Sequence, residues 1–321
     1  IRDSDKSGLS DEVKQLYQEN GIAHVLAISG LHISLIGASL FFVLRKYFMP
    51  MQGAAVVTMV LLFLYGILTG FSISTQRAVI MMGCMLLARL AGRHYDGLSA
   101  LSFSAICQLL IHPMVLFQTG FLLSYGTVLG IYVFVDVFCD AWESKNPIWM
   151  AVAGTAGIEL VTLPILLTAY YEFSILSIAA NVLFLPFMGG ILVTSLAGIG
   201  LGSITLFAGK FCFGFAHFCF MLFEWIGNLF VKIPGAVVIT GKPTDWQVLL
   251  YYGSGVLFLF LQKWKQKKIF LLTLAFGVFV LFLPVHNNFD LQISNLDVGQ
   301  GDCSCIRTKN HTILILSLIH I

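Results

Sequence analysis

The chain has 321 residues, of which 58% are hydrophobic and 11% charged, with a formal net charge of +2. Soluble domains carry about 25% charged residues, so this chain has too little charge to cover a soluble surface of its size. Together with a mean hydropathy of +0.90, that excludes a soluble enzyme and gives an all-α polytopic membrane protein as the expected fold class.

Residues 1–20 are polar, and Ser10 before Asp11 and Glu12 predicts a helix cap with an acidic first turn. A short amphipathic lead-in, 1–21, is the expectation. Ten apolar segments then follow, at 22–44, 51–70, 77–92, 97–112, 118–138, 148–170, 174–202, 208–231, 246–262 and 269–284. A spanning helix needs about 20 apolar residues. Segments 77–92 and 97–112 fall short, which suits tilted, re-entrant or half-buried helices. Segment 174–202 is long, and Pro186 followed by Gly189 and Gly190 predicts that it breaks in two.

The basic residues set an orientation, because loops rich in Lys and Arg stay cytoplasmic. Arg45, Lys46, Arg93, Lys145 and the run Lys263, Lys265, Lys267, Lys268 fall on one side of ten alternating spans. Arg77, Lys232 and Lys242 fall on the other, with Arg2, Lys6 and Lys14 in the lead-in. Both termini are then extracytoplasmic. Residues 285–321 change character: apolar and polar residues alternate, Gly299 and Gly301 punctuate, and Thr308-Lys309-Asn310 reads as a turn between strands. The polar opening and the apolar final stretch, 313–321, lead us to expect a piece of a longer protein.

An ionisable side chain inside a span costs about 2.5–3.5 kcal/mol on insertion, so each is a functional candidate. His24 and His32 in the first span are about 80° apart around a helix, with Ser29 three residues before His32. They read either as a nucleophile with a base or as histidines bonded to neighbouring carbonyls. Thr69 to Arg77 is a polar break that suits a re-entrant turn or a lined cavity, with Arg77 facing an anion or snorkelling to headgroups. Glu159, near Thr155, Thr162 and Pro164, is either paired or protonated. Lys210, His217 and Glu224 recur at heptad spacing, with Asn228 a turn on, as in a pore-lining face or a polar seam. The seven Cys form no CxxC pair, and neither His311 nor His320 has metal-ligand spacing. No cofactor is expected in this chain.

Gly21-Ile22-Ala23-His24-Val25-Leu26-Ala27-Ile28-Ser29-Gly30-Leu31-His32 resembles the most distinctive motif of the ComEC family of bacterial competence proteins. Further landmarks of that family follow in order: Thr69-Gly70-Phe71 with Arg77-Ala78, Pro113 with Gly120, Phe121 and Ser124, then Pro164, Phe173-Ser174, and Asn181 with Pro186. Leu296-Asp297-Val298-Gly299-Gln300-Gly301-Asp302 is similar to the opening strand of the family's metallo-β-lactamase-like domain, so Asp297, Gln300 and Asp302 belong to that motif. The resemblance implies a plasma-membrane channel component for uptake of single-stranded DNA during natural transformation. His24, Ser29, Gly30, His32, Arg77, Glu159, Asn181, Lys210 and His217 become its candidate path residues.

The resemblance also implies, as partners, an extracytoplasmic DNA receptor, a cytoplasmic DNA-translocating ATPase and the lipid bilayer, with an oligomer compatible. The chain itself has no GxxxxGK[ST] phosphate loop. It stops before any HxHxDH-type run, and Leu316-Ser317 stands where the family has Asp-Gly, so a divalent metal would belong to the rest of that domain. An OB-like domain that family members carry ahead of the membrane core is not in this stretch. Two readings from other classes stand beside the channel. One is an intramembrane serine hydrolase using Ser29 with His24 or His32, although Ala27 breaks the GxSxG pattern. The other is a small-solute transporter, which would call for inverted repeats.

Overall fold

The computed structural model describes residues 30–142, 146–262, 267–283, 291–297, 301–308 and 311–318. These fall into a helical unit ending at Leu281 and a β unit from Phe282 onward. The helical unit holds α1 (Gly30–Tyr47), α2 (Met51–Leu68), α3 (Ile73–Leu90), α4 (Gly97–Ile111), α5 (Thr119–Trp142), α6 (Pro147–Tyr170), α7 (Ser177–Gly202), α8 (Leu206–Val231), α9 (Asp245–Gln262) and α10 (Lys267–Leu281). Six of these, α2, α3 and α5 to α8, are long and apolar enough to cross a membrane, while α4 is a shorter apolar helix. Large apolar side chains such as Phe63, Leu64, Phe207 and Phe211 stand exposed on the outside, as lipid contact requires.

Turn chemistry sets the helix ends. Asp96 caps α4, accepting from the backbone N–H of Leu98 (3.3 Å) and Ser99 (3.1 Å) and from the Ser99 hydroxyl. The Ser99 hydroxyl and then its backbone N–H hold the Asp96 carboxyl below the usual carboxylate range. Asn146 accepts from Ile148 N–H at 3.2 Å, with Pro147 at the first helical position of α6. That helix ends on Tyr171 in the left-handed region, φ 62°.

Small residues make the helix seams, as lipid-embedded packing demands. Gly37 of α1 sits under Leu62 and Met82, within a cluster that includes Ile33, Phe41, Ala54, Ala55 and Leu86. Gly130 of α5 and Gly157 of α6 meet backbone to backbone, and a Cβ at Gly130 would lie 2.5 Å from the Gly157 carbonyl oxygen. Along α7 and α8, Ala180, Phe184, Met188 and Ile191 pack on Ala216, Cys219 and Phe223, with the Phe184 and Phe223 rings 4.3 Å apart.

Two expectations fail here. The expected break at Pro186 does not occur: α7 is one continuous helix from Ser177 to Gly202. Proline removes a single intrahelical donor, whereas unwinding would strip several peptide groups of partners in a medium without water. Of the two glycines that suggested a break, Gly190 serves packing instead, as Gly198 does further along. Gly190 receives the Phe215 ring, and Gly198 lies 3.0 Å, at its would-be Cβ, from the Phe213 ring. The third helix also starts earlier than residue 77. Ser72 caps α3, accepting from Thr75 N–H at 3.4 Å, so Ser74 to Gln76 are helical. The break before it is a tight turn through Gly70 (φ 71°) and Phe71 (φ 45°), with the Phe71 ring folded over Gly66.

A two-stranded antiparallel ribbon joins the loops after α6 and α8, pairing β1 (Glu172–Ser174) with β2 (Val237–Ile239) in the register Phe173 to Val238. Its location on the same end of α6 and α8 is what two intervening full crossings would produce. The β unit is a meander in the order β3 (Leu291–Asp297), β4 (Gly301–Thr308), β5 (Thr312–Leu318). Cys303 and Cys305 alternate along β4 as expected, and β4 pairs antiparallel with β5, Thr308 N–H donating to the His311 carbonyl at 2.8 Å, while Lys309 and Asn310 of the expected turn lie outside the described residues.

Candidate functional site

Two buried polar centres interrupt the apolar core of the helical unit. The first is built on Arg77, one and a half turns into α3 and only 7% exposed. One Nη donates to the Ser124 carbonyl of α5, and the guanidinium lies 5.9 Å from the Tyr125 ring centroid. A Cβ at Gly30 would sit 2.5 Å from the other Nη, so glycine at the start of α1 is what admits the side chain. The Nε has no hydrogen-bond partner, and among the described residues no carboxylate pairs with this cation. Arg77 is therefore a buried charge held by a carbonyl and a ring face, not by a counter-ion.

Around it the polar groups interlock. The Ser104 hydroxyl of α4 donates to the Leu101 carbonyl at 2.8 Å and stands 3.0 Å from the Tyr125 hydroxyl, which is thereby the donor of that second bond. Gln108, 3% exposed, donates from Nε2 to the Ile73 carbonyl at 3.0 Å and leaves its Oε1 unpartnered. Beside it opens a cleft of about 410 Å³ lined by Ile73, Gln76, Gln108, His112, Met114, Val115 and Gln118.

The second centre is built on Glu159 in α6, 8% exposed. Its neighbours in sequence do not serve it: Thr155 and Thr162 donate to the Ala151 (2.9 Å) and Ile158 (2.8 Å) carbonyls of their own helix. Pro164 has no N–H for the Leu160 carbonyl, and the Tyr251 hydroxyl of α9 donates to that oxygen at 2.7 Å. Tyr252 does the same for the Val161 carbonyl at 3.0 Å. At the start of α7, Ser177 (2% exposed) and Asn181 (5% exposed) turn into the core one helical turn apart.

The structure thus brings Gly30 and Arg77 together. His32 is half-buried on α1. His24 and Ser29 lie outside the described residues, as does Gln300. Lys210 and His217 stand exposed on α8, Glu224 is half-buried, and the face that α8 packs on α7 is Gly209, Ala216, Cys219, Phe223 and Gly227. The heptad stripe therefore points away from that seam. Asp297 and Asp302 are cross-strand partners closing the β3–β4 hairpin. Among the described residues no group of three or more His, Cys, Asp or Glu could hold a metal ion. Sequence reasoning missed Tyr251, Tyr252, Ser104 and Gln108. A proline within a span leaves a carbonyl in need of a donor, and a Tyr pair in an apolar helix was the available signal for the first two.

A family model described as "Competence protein" matches residues 4–266. ComE operon protein 3 of Bacillus subtilis (strain 168) is 30% identical over 93% of this chain and 38% of its own length. Competence protein ComA of Neisseria gonorrhoeae is 27% identical, and Recombination protein 2 of Haemophilus influenzae 25% identical, each over 97% of this chain and 44% of its own length. The chain thus spans less than half the length of these relatives. No solved structure matches it.

Proposed function

The chain belongs to the ComEC family of competence proteins, and from that premise we propose that its membrane core forms part of the path by which single-stranded DNA crosses the bacterial plasma membrane in natural transformation. The observation that supports the reading is Arg77: a buried guanidinium with a free Nε and, among the described residues, no carboxylate partner, on the same helix α3 whose Ile73 and Gln76 line a cleft edged by glutamines and a histidine. Phosphate needs a cation, and bases need amide edges and aromatic faces. A net charge of +2 makes such a cation local rather than diffuse. Gly30, at the end of the His24 to His32 motif, acts here as the space that Arg77 occupies.

In this reading the Lys-rich loop after α9 is cytoplasmic, the β unit opens a metallo-β-lactamase-like domain, and an extracytoplasmic receptor and a cytoplasmic ATPase deliver and pull the strand. The test is Arg77→Glu, introduced at the chromosomal locus of a transformable host and followed with end-labelled duplex DNA. Charge reversal at a phosphate contact is expected to lower cytoplasmic single strands at least about tenfold while the protein still inserts in the membrane. Uptake at the wild-type level would remove Arg77 from the path.

A further inference from the structure

The cleft beside Gln108 has a lining that does not suit a phosphate. Its polar lining residues are Gln76, Gln108, Gln118 and His112, and among the described residues no Lys, Arg, Asp or Glu lines it. Two of the amides are pinned. Gln76 Nε2 donates to the Phe71 carbonyl at 2.9 Å, and Gln108 Nε2 donates to the Ile73 carbonyl at 3.0 Å. A carbonyl only accepts, so each amide must turn its nitrogen to that partner and its oxygen the other way. Gln108 is 3% exposed, and its Oε1 has no partner. Another wall is a 3-10 turn, Pro113–Phe117, which carries Met114 and Val115. Ile73 lies one turn before Arg77 on α3, so the cleft opens one helical turn from the buried cation.

We propose that this cleft is a pocket for one unpaired nucleobase of the strand. The inference rests on the uptake reading and adds to it a site for a base beside the site for a phosphate. A cleft of about 410 Å³ is large enough to enclose a small ligand. A phosphate entering it would lose its hydration and meet no cation. A base is neutral and flat: its faces meet Met114 and Val115, and an N–H on its Watson–Crick edge satisfies the Gln108 oxygen. Every unpaired base carries such an N–H, so the pocket tolerates any sequence. In a duplex that edge is already bonded to the complementary strand, so the pocket takes single strands only.

The test uses the chain in lipid nanodiscs and two short fluorescent oligomers, a thymidylate strand and an abasic strand of the same length and charge. The wild type is expected to bind the thymidylate strand about tenfold more tightly, the scale of one enclosed base. Arg77 meets the same phosphates in both, so the ratio reports the base alone. Gln108→Leu is expected to bring the two affinities within about twofold of each other, and Gln118→Leu, at the exposed rim, to narrow the gap by about threefold. A thymidylate strand carrying iododeoxyuridine, irradiated on the wild-type chain, is expected to crosslink at His112 or Met114, a readout that needs no variant to fold. Equal affinity of the wild type for both oligomers, binding of neither, an advantage that survives in Gln108→Leu, or crosslinks confined to other residues would overturn the pocket. The uptake reading fails separately: wild-type uptake in Arg77→Glu removes the phosphate contact whatever the ratio of the two affinities.

Discussion

Pro164 shows how one side chain dictates others far away in sequence. It cannot donate to the Leu160 carbonyl, and in a bilayer no water replaces the lost bond, so a donor must come from a neighbouring helix. Tyr251 supplies it at 2.7 Å. Tyr251→Phe keeps the ring and removes only the donor. We expect it to cost about 1–2 kcal/mol, read as a lower midpoint in detergent unfolding, with the neighbouring Tyr252→Phe costing less because its hydroxyl is more exposed. An unchanged midpoint in Tyr251→Phe would show that Leu160 needs no cross-helix donor. Arg77 obeys the same logic with the sign reversed: its donors outnumber the acceptors offered, and the surplus Nε is what makes it a candidate for an anion.

Helices here meet through the residues they lack. At the α5–α6 crossing, a Cβ on Gly157 would lie 2.7 Å from the Gly130 carbonyl oxygen and 2.8 Å from Phe134 Cβ. Gly157→Val must push the two backbones apart, and a loss of about 2–3 kcal/mol is expected in the same unfolding assay. Gly154→Ala, whose new Cβ would stand an ordinary 3.7 Å from Val135 Cγ2, should be nearly neutral. Equal effects of the two would refute the close-crossing account. Most of the helical register was legible beforehand. Segments 51–70, 97–112, 148–170 and 208–231 match α2, α4, α6 and α8 within two residues at each end. Hydropathy reads spans well because every helix must be apolar over the bilayer's thickness. It reads glycine and proline badly, since Gly190, which suggests a break in water, receives the Phe215 ring, and Pro186 stands exposed on a helix that runs on unbroken. The pairing of Gly30 with Arg77 was not legible at all, because only the tertiary arrangement joins α1 to α3 at that depth.

For the molecule as a whole, the alternation of spans makes a concrete claim about sides. With the native cysteines replaced, a single cysteine at Lys242, beyond β2, should react with a membrane-impermeant maleimide added to intact cells, and one at Arg93 should react only after lysis. The reverse pattern would invert the orientation, and labelling of both from outside would remove one of the intervening crossings. The β1–β2 ribbon lies on the Lys242 side, and it imposes an order in time. β1 is made first and has no partner until roughly 60 further residues have been synthesised, which takes about 3–12 s at ordinary elongation rates. Through that interval the Phe173 strand is an unpaired edge. It closes only when the α7–α8 hairpin has gone across and returned, so a nascent chain that fails to thread this hairpin carries its own signal of failure, an open strand edge on the Lys242 side.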